Sequence, residues 1–254
     1  MKKLVLLSAC LFSLSPMVAN AAGDAPKLKK QDWSFNGFNG TFDRGALQRG
    51  FQVYTQVCAA CHGMKHVAYR NLTALGYTEA EVKAIASQYT TIDGPNDEGE
   101  MFERPMKPSD KFKEPYDNDK AARYANNGAL PPDLSLITKA RVGGADYIYG
   151  LLTGYEEAPE GEEMMAGQHW NNVMPGHKIA MAAPLSDDMV GYEDESPTTV
   201  SQYSKDVATF LTWAAEPEME IRKRTGIKVI LFLLVFAGLL YGVKKKIWAD
   251  VKKK

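Results

Sequence analysis

Hydrophobic residues recur along most of this chain at intervals of three and four, the spacing that places them on one face of a helix. Over residues 42–58 this pattern is carried by Leu47, Phe51, Tyr54 and Cys58. Similar patterns predict helices over residues 78–89, 118–126, 144–152 and 199–215. The strict alternation of apolar and polar residues that marks a strand is scarce. The pattern therefore predicts an all-α fold.

Two local signals refine these boundaries. Thr78-Glu79-Ala80-Glu81 is a capping box, in which a hydroxyl and a carboxylate satisfy the free N–H groups at the start of a helix. Residues 93–115 are rich in Gly, Pro and charged residues, and they are predicted to form a long surface loop. The expected architecture is one of short helices separated by long loops.

The first hydrophobic segment has the three parts of a secretory signal: a charged start at Lys2 and Lys3, an apolar run over residues 4–14, and the small-x-small pattern Ala19-Asn20-Ala21. Residues 1–21 are predicted to be this signal and to be cleaved, which removes Cys10. The mature chain then holds only Cys58 and Cys61, so we expect no disulfide framework in the exported part.

A second hydrophobic segment lies near the C-terminus. Residues 229–243 are 15 residues without a charge, and an isoleucine two positions upstream extends the segment. Basic residues on both sides can reach the lipid headgroups with their charged ends. Residues 227–243 are therefore predicted to be a single transmembrane anchor in the inner membrane. Because the signal directs the export of the downstream chain, residues 22–220 are expected in the periplasm as one domain, and residues 244–254 in the cytoplasm as a basic tail.

The formal net charge of −1 conceals an asymmetry along the chain. Residues 22–220 carry 18 Lys and Arg against 30 Asp and Glu, a net charge of −12. This sign disfavours nucleic acid as a partner. Two explanations stay open: a solvated surface that needs no partner, and a field that steers a basic partner. The acidic residues are clustered over residues 156–163 and 187–195.

The chemistry of the chain is indicated by Cys58-Ala59-Ala60-Cys61-His62, a C-x-x-C-H motif at the end of the first predicted helix. Two thiols at this spacing can form thioether bonds with the vinyl groups of a haem, and the histidine directly after them can bind the iron. A redox dithiol would need a βαβ setting, and a structural zinc site would need two more ligands close by. The sequence indicates neither, so one covalent haem c is predicted, with His62 as an iron ligand.

The second axial ligand is not decided by the residues alone. The candidates downstream are Met164, Met165, His169, Met174, His177, Met181 and Met189. Methionine raises the reduction potential of a haem and suits electron transfer. Met174 and Met181 both lie beside proline and small residues, where a thioether can be held at a fixed distance. Their spacing does not separate them.

Several motifs together resemble the cytochrome c1 family, in its compact bacterial form, over essentially the whole mature chain. They are C-A-A-C-H with Val67-Ala68-Tyr69-Arg70, Ala121-Ala122-Arg123, the run A-N-N-G-A-L-P-P-D-L-S at 125–135, Gly143-Gly144-Ala145-Asp146-Tyr147, Leu151-Leu152-Thr153-Gly154-Tyr155, Met174-Pro175-Gly176, the run I-A-M-A-A-P at 179–184, and Trp213-Ala214-Ala215-Glu216-Pro217. The resemblance implies an all-α, cytochrome c-like haem domain with long loops, standing on one C-terminal transmembrane helix.

The same resemblance implies the remaining site residues and the partners. It implies His62 and Met181 as the two iron ligands, and Arg123 as the partner of a haem propionate, which suits the paired donors of a guanidinium. The implied partners are cytochrome b, the Rieske iron–sulfur protein as electron donor, a c-type cytochrome as electron acceptor, and membrane lipid. The resemblance also implies a dimeric complex.

The expected function is that of a one-electron carrier, a subunit of ubiquinol–cytochrome c reductase without a catalytic site of its own. An independent membrane-anchored cytochrome c that serves a terminal oxidase is the nearer alternative. Such chains tend to have an N-terminal anchor or several C-x-x-C-H motifs, whereas this chain has one motif and a C-terminal anchor. A haem peroxidase or gas sensor is the more distant alternative. It would have an open iron site, which rapid binding of carbon monoxide would reveal.

Overall fold

The computed structural model describes residues 28–249. The predicted signal peptide, Cys10 and residues 250–254 of the basic tail lie outside this range. Within it the chain is mostly helical, with four short strands. The predicted all-α fold with one long apolar C-terminal helix is confirmed, and two small hairpins are added to it.

The part of the chain that the structure describes contains seven α-helices: α1 Arg44–Gln56, α2 Glu79–Ala86, α3 Asp119–Ala125, α4 Ile137–Ala140, α5 Ala145–Thr153, α6 Val200–Ala215 and α7 Met219–Ile247. Two 3₁₀ segments lie between α1 and α2, at Cys58–Ala60 and Tyr69–Leu75. The strands form two antiparallel pairs, β1 Thr90–Asp93 with β2 Phe102–Pro105, and β3 His169–Trp170 with β4 Lys178–Ile179.

Side-chain caps determine where four of these helices begin. Before α1, α2, α3 and α6, the side chain of the capping residue accepts a hydrogen bond from an N–H of the first turn; these residues are Asp43, Thr78, Asn118 and Thr199. At α2 the predicted capping box is complete, because the Glu81 carboxylate accepts from the Thr78 N–H at 2.7 Å. The five helices predicted for the exported domain are present, with ends within three residues of the predicted ones.

The prediction of an unbroken surface loop over residues 93–115 is wrong. β1 and β2 form a hairpin in which Thr91 lies opposite Arg104. The Arg104 guanidinium forms ion pairs with Asp93 and Asp110, so charged residues that favour a loop in the sequence hold the hairpin closed. The paired residues are nine to fifteen positions apart in the chain, so the local pattern does not show the pairing.

In the described chain, α1 and α6 form the most extensive contact between helices. Gly50 lies where they cross, and a Cβ atom there would be 2.1 Å from the Asp206 carbonyl oxygen, so only glycine permits this approach. Across the same contact the rings of Phe51 and Tyr54 each lie 5.7 Å from that of Phe210, measured between centroids. This packing fixes the C-terminal end of α1, where the C-x-x-C-H motif lies.

The last helix, α7, contains the predicted anchor and is longer than it. It begins at the buried Met219 and runs without a break through residues 227–243 to Ile247. Its length and composition suit a membrane span, and its apolar stretch is not buried against the rest of the described chain. Three lysines lie in its last turn. These properties are those of a helix whose apolar surface is covered by lipid.

Candidate cofactor site

The C-x-x-C-H motif comes directly after α1. The α-helix ends at Gln56, and the 3₁₀ turn Cys58–Ala60 comes two residues later. The N–H groups of Cys61 and His62 both donate to the Cys58 carbonyl oxygen, at 3.1 and 2.9 Å. Both cysteines are free thiols. The turn therefore places two sulfur atoms and an imidazole on one short, hydrogen-bonded segment.

The Cys58 thiol does not have the character of a redox dithiol. Burial raises its pKa to about 12, and the neighbouring Cys61 adds to the effect. Reactive C-x-x-C pairs have thiols with lowered pKa values instead, because the thiolate is the attacking species. The fold therefore keeps this sulfur as a neutral thiol.

The imidazole of His62 is held in one tautomer. Its Nδ1 lies 2.8 Å from the carbonyl oxygen of Pro132. Because a carbonyl oxygen only accepts, Nδ1 carries the hydrogen atom and Nε2 keeps its lone pair. Burial lowers the pKa of His62 and outweighs the raising effects of the Pro132 carbonyl and the Asp133 carboxylate. The ring is therefore neutral at pH 7, and its free Nε2 is suited to binding a metal.

Two further contacts fix the backbone at and after this histidine. The Tyr54 hydroxyl, on α1, donates to the His62 carbonyl at 3.1 Å. The N–H of Lys65 donates to the Asp133 carboxylate at 2.8 Å. Pro132 and Asp133 belong to one loop, so that loop holds both the imidazole and the segment behind it. Such supporting contacts set the direction of a metal ligand.

Met174 lies in the turn of the β3–β4 hairpin. The His177 N–H donates to the Met174 carbonyl at 2.8 Å, and Gly176 and His177 have positive φ angles of 77° and 60°. The Tyr147 hydroxyl donates to the Met174 sulfur at 3.7 Å. The thioether of Met174 therefore already has a partner inside the protein.

Met181 lies two residues after β4, and its backbone is held by Tyr155. The Tyr155 hydroxyl donates to the Met181 carbonyl at 3.1 Å. Burial raises the pKa of Tyr155, so the hydroxyl keeps its proton throughout the physiological range. The Met181 residue is half-buried, and in the described part of the chain no group donates a hydrogen bond to its sulfur. The Met181 sulfur is thus free to bind a metal ion, whereas the Met174 sulfur already accepts a hydrogen bond.

Arg123 lies on α3 and is exposed. Its Nη1 donates to the Gly128 carbonyl at 3.0 Å, which ties the end of the helix to the next loop. Among the described residues it forms no ion pair with a carboxylate, so most of its N–H donors face solvent. The structure brings Cys58, Cys61 and His62 together, and it leaves Arg123 on a separate helix.

The sequence analysis assigned no role in the site to Tyr54, Tyr155 and Asn171. Tyr54 precedes Cys58 by four residues, so a shared helix face is the signal that leads to it. Asn171 is fully buried. Its side-chain amide hydrogen-bonds backbone groups of Leu151, Val173 and Met174. No local pattern in the sequence indicates this last role, because it depends on how the hairpin packs on α5.

These residues fit a covalently bound haem. The donor set comprises two free thiols, an imidazole with an available Nε2, and a thioether on a segment with a fixed backbone. Cys58 and Ala59 pack against the apolar core, which also contains Met64 and Leu134. Thioether bonds, nitrogen and sulfur ligands, and apolar surroundings are what such a group needs.

The two acidic clusters differ in what they do in the fold. In the cluster at 187–195, Asp187 accepts from the N–H at the start of α6 at 2.7 Å, and Asp194 forms an ion pair with Arg49. In the cluster at 156–163, the glutamates are exposed. The acidic residues of both clusters are exposed to solvent, and Asp187 and Asp194 also hold contacts within the fold.

Comparison with known proteins gives one family. The sequence model of the Cytochrome C1 family matches residues 33–251. The chain is 52% identical over 262 aligned positions to a protein of Bradyrhizobium diazoefficiens named "Cytochrome b/c1"; the match covers 94% of this chain but 38% of that protein. It is 47% identical over 250 positions to "Cytochrome c1" of Rhodospirillum rubrum, covering 92% of each chain.

Mitochondrial proteins are equally similar. The chain is 51% identical over 221 positions to "Cytochrome c1, heme protein, mitochondrial" of Saccharomyces cerevisiae, covering 87% of this chain and 72% of that protein. The family match spans the C-x-x-C-H motif, the loop that holds His62 and the long apolar helix α7. The chain therefore belongs to the cytochrome c1 family.

Proposed function

We propose that this chain is the haem-bearing electron-transfer subunit of a cytochrome bc1 complex, a ubiquinol–cytochrome c reductase. The observation that carries the proposal is the geometry of His62, a neutral imidazole with its Nδ1 bound to the Pro132 carbonyl, directly after two free thiols. Membership of the cytochrome c1 family supports the same cofactor. The chain moves one electron at a time and has no catalytic site of its own.

In this proposal Cys58 and Cys61 form the two thioether bonds, and His62 and Met181 bind the iron. The haem, when bound, supplies reversible one-electron exchange at its iron. These residues would hold and orient the group. With His62 and Met181 both bound to the iron, no substrate would coordinate to it.

Met181 is proposed as the sixth ligand in preference to Met174. The sulfur of Met174 accepts a hydrogen bond from Tyr147, and the residue lies in a tight turn. The backbone of Met181 is held by Tyr155, while its sulfur stays free. These contacts support the assignment that the family resemblance implies.

Arg123 is proposed to pair with a haem propionate. Its one hydrogen bond to Gly128 leaves other N–H groups of the guanidinium available. A guanidinium and a carboxylate form a bidentate pair that gives both strength and direction.

The partners are proposed from the family and from the anchor. One relative carries the names of cytochrome b and c1 in a single protein, of which this chain matches 38%. We therefore place cytochrome b beside α7, with the Rieske iron–sulfur protein as donor and a c-type cytochrome as acceptor, in a dimeric complex. Export directed by residues 1–21 would put the haem domain in the periplasm, with residues 244–254 left in the cytoplasm.

The route is tested by rapid mixing of quinol with the oxidised complex purified from its own membranes. We expect the absorbance of reduced haem c to appear only when the iron–sulfur subunit is present. Oxidised cytochrome c, added afterwards, should reoxidise the haem. Extraction of the iron–sulfur subunit should abolish the reduction, and its return should restore it. Reduction that continues without this subunit contradicts the proposed donor. A Cys58→Ala, Cys61→Ala chain should carry no covalent haem.

Carbon monoxide separates this proposal from an enzyme or a gas sensor. With both axial positions filled, the reduced protein should bind carbon monoxide slowly or not at all at neutral pH. Rapid binding would show an open iron site and favour the peroxidase or sensor class. Purification without a b-type cytochrome or an iron–sulfur subunit would favour an independent anchored cytochrome.

A further inference from the structure

The loop of residues 34–41, just before α1, exposes a large apolar side chain. It is closed by the Thr41 N–H, which donates to the Ser34 carbonyl at 3.1 Å. Phe35, at its start, and Phe42, directly after its end, are buried. Phe38, near its tip, is 61% exposed. Folding within the haem domain does not cover this phenylalanine.

Hydrogen bonds tie this loop to the first two turns of α7. The Glu220 carboxylate accepts from the Phe42 N–H at 2.8 Å and from the Arg44 guanidinium at 2.8 Å. Three residues further along α7, the Lys223 ammonium donates to the carbonyls of Phe35 and Gly40, at 2.7 and 3.1 Å. The loop therefore has a defined position relative to the anchor helix.

These contacts place the loop beside the first two turns of α7. Glu220 and Lys223 are about 4.5 Å apart along the helix axis. Phe38 lies between Phe35 and Gly40, the two residues whose carbonyls the Lys223 ammonium holds. The predicted span begins at residue 227, about 6 Å after Lys223. The exposed Phe38 is thus held close to the level at which α7 enters the membrane.

We propose that the 34–41 loop is a second membrane contact, with Phe38 inserted at the boundary between lipid headgroups and acyl chains beside α7. Lipid is the chosen occupant because hydrogen bonds tie the loop to the anchor helix, and because Arg224 and Lys228 bring basic charge to the part of α7 that comes next. Exposed aromatic residues next to cationic side chains are favourable at this boundary. A second contact point would constrain the tilt of the haem domain relative to the membrane more than α7 alone.

The inference rests on the proposal that α7 spans the membrane, and a spin-label experiment tests the two separately. The mature holoprotein is placed in bilayers with a nitroxide attached at Phe38→Cys, Leu234→Cys or Tyr124→Cys. Cys58 and Cys61 are consumed by the haem and do not react. Power saturation compares collisions with oxygen, which concentrates in lipid, and with a water-soluble nickel chelate.

We expect the ratio of oxygen to nickel accessibility at position 38 to be at least threefold that at position 124, whose side chain is 93% exposed on α3. Position 234 lies within the predicted span on α7 and reports whether the anchor is in lipid. If it is in lipid and the ratio at position 38 equals that at position 124, the loop contact is overturned and the anchor stands. If position 234 is in water, the anchor and the loop contact are both overturned. Protection of position 38 from both reagents means that a protein covers Phe38, and it also overturns the lipid contact.

A conservative double variant tests the role of the ties to α7. Glu220→Gln with Lys223→Met keeps the side-chain sizes and removes the ion pair and the two carbonyl contacts. In the Phe38→Cys background it should lower the accessibility ratio at least twofold. Glu81→Gln is the matched control, since Glu81 also accepts from a backbone N–H but on α2, and it should leave the ratio unchanged. An unchanged ratio in the double variant contradicts the proposed positioning.

Discussion

The nitrogen of His62 that can bind a metal is selected by a hydrogen bond from a loop 70 residues away. The motif in the sequence shows that an imidazole comes after two thiols. It does not show which ring nitrogen carries the hydrogen atom and which one can bind a metal. The Pro132 carbonyl makes Nδ1 the donor and leaves Nε2 available. At the scale of the residue, the sequence thus identifies the ligand and the fold selects its reactive atom.

Replacement of Met181 by leucine removes the proposed sixth ligand. The haem of Met181→Leu should become five-coordinate or low-potential, and its reduced form should bind carbon monoxide rapidly. Met174→Leu should leave the visible spectrum nearly unchanged, at a cost of about 1 kcal/mol for the bond from Tyr147. Redox titrations and absorption spectra of the two variants show which methionine binds the iron. The opposite pattern would show that Met174 is the ligand.

Loss of the Arg123 charge should change the haem potential without changing the ligands. A positive charge beside a propionate disfavours the more positive ferric state, so Arg123→Gln should lower the midpoint potential. Arg141→Gln is the control, since Arg141 is also exposed and its Nη1 donates only to the carbonyl of its neighbour Ala140 among the described residues. A larger fall in Arg141→Gln would move the propionate assignment to that residue.

The crossing of α1 and α6 depends on the absence of a side chain at Gly50. In Gly50→Ala the new methyl group would meet the Asp206 carbonyl oxygen at 2.1 Å and the Phe210 Cβ at 2.7 Å. The helices must separate, so we expect the free energy of unfolding to fall by about 1–3 kcal/mol. Chemical denaturation of the holoprotein, followed by circular dichroism, measures this.

Gly45→Ala on the same helix is the matched control. A Cβ there would meet the Arg49 guanidinium and the capping carboxylate of Asp43, both at 3.3 Å, a contact that a shift of a few tenths of an ångström relieves. Since alanine is the better helix former, this change should stabilise the protein by up to about 1 kcal/mol. Equal effects of the two substitutions would rule out the close approach at Gly50 as the cause.

The β1–β2 hairpin should loosen in acid. Hydrogen bonds from Arg104 lower the pKa of both Asp93 and Asp110 below the ordinary value of 3.8. A lowered pKa in the folded state adds stability that is fully present above pH 3.8 and is lost as the pH falls through the lowered values. Hydrogen exchange over residues 90–105 should therefore accelerate below about pH 3.8, beyond the intrinsic rate change. Arg104→Gln should show the faster exchange already at neutral pH.

At the scale of the elements, the helices could be predicted and the hairpins could not. Each predicted helix has its own apolar face, and four of the five begin at a capping side chain. Both are properties of neighbouring residues in the chain. β3 and β4 are two residues each, and they are held by the buried Asn171. Such short strands have no pattern of their own, because distant packing supplies their stability.

The negative charge of the domain should make the rate of electron transfer to a basic acceptor depend on ionic strength. Residues 22–220 have a net charge of −12, and the glutamates of residues 156–163 are exposed. Electron transfer to a basic c-type cytochrome should therefore slow as salt rises and screens the attraction, with a screening length of about 8 Å at physiological ionic strength. Stopped-flow measurement of the second-order rate against ionic strength tests this.

Replacing glutamates by glutamines shows which acidic cluster attracts the basic acceptor. Glu156→Gln with Glu157→Gln, and separately Glu193→Gln with Glu195→Gln, each remove two exposed negative charges. The pair of substitutions that flattens the salt dependence more marks the cluster nearer to the docked acceptor. A rate that does not vary with salt in the unmodified protein would leave solvation as the explanation for the acidic surface.

The sequence by itself determined the helical class, the positions of the main helices, the capping box at Thr78, the cofactor motif and the apolar C-terminal segment. All of these depend on residues that are neighbours in the chain, so local spacing is enough to show them. Only the tertiary structure decided which nitrogen of His62 is free, that the sulfur of Met174 is already occupied by Tyr147, and that the 34–41 loop lies along α7. These depend on contacts between segments far apart in the chain, and such contacts form only when the apolar faces of the helices pack together.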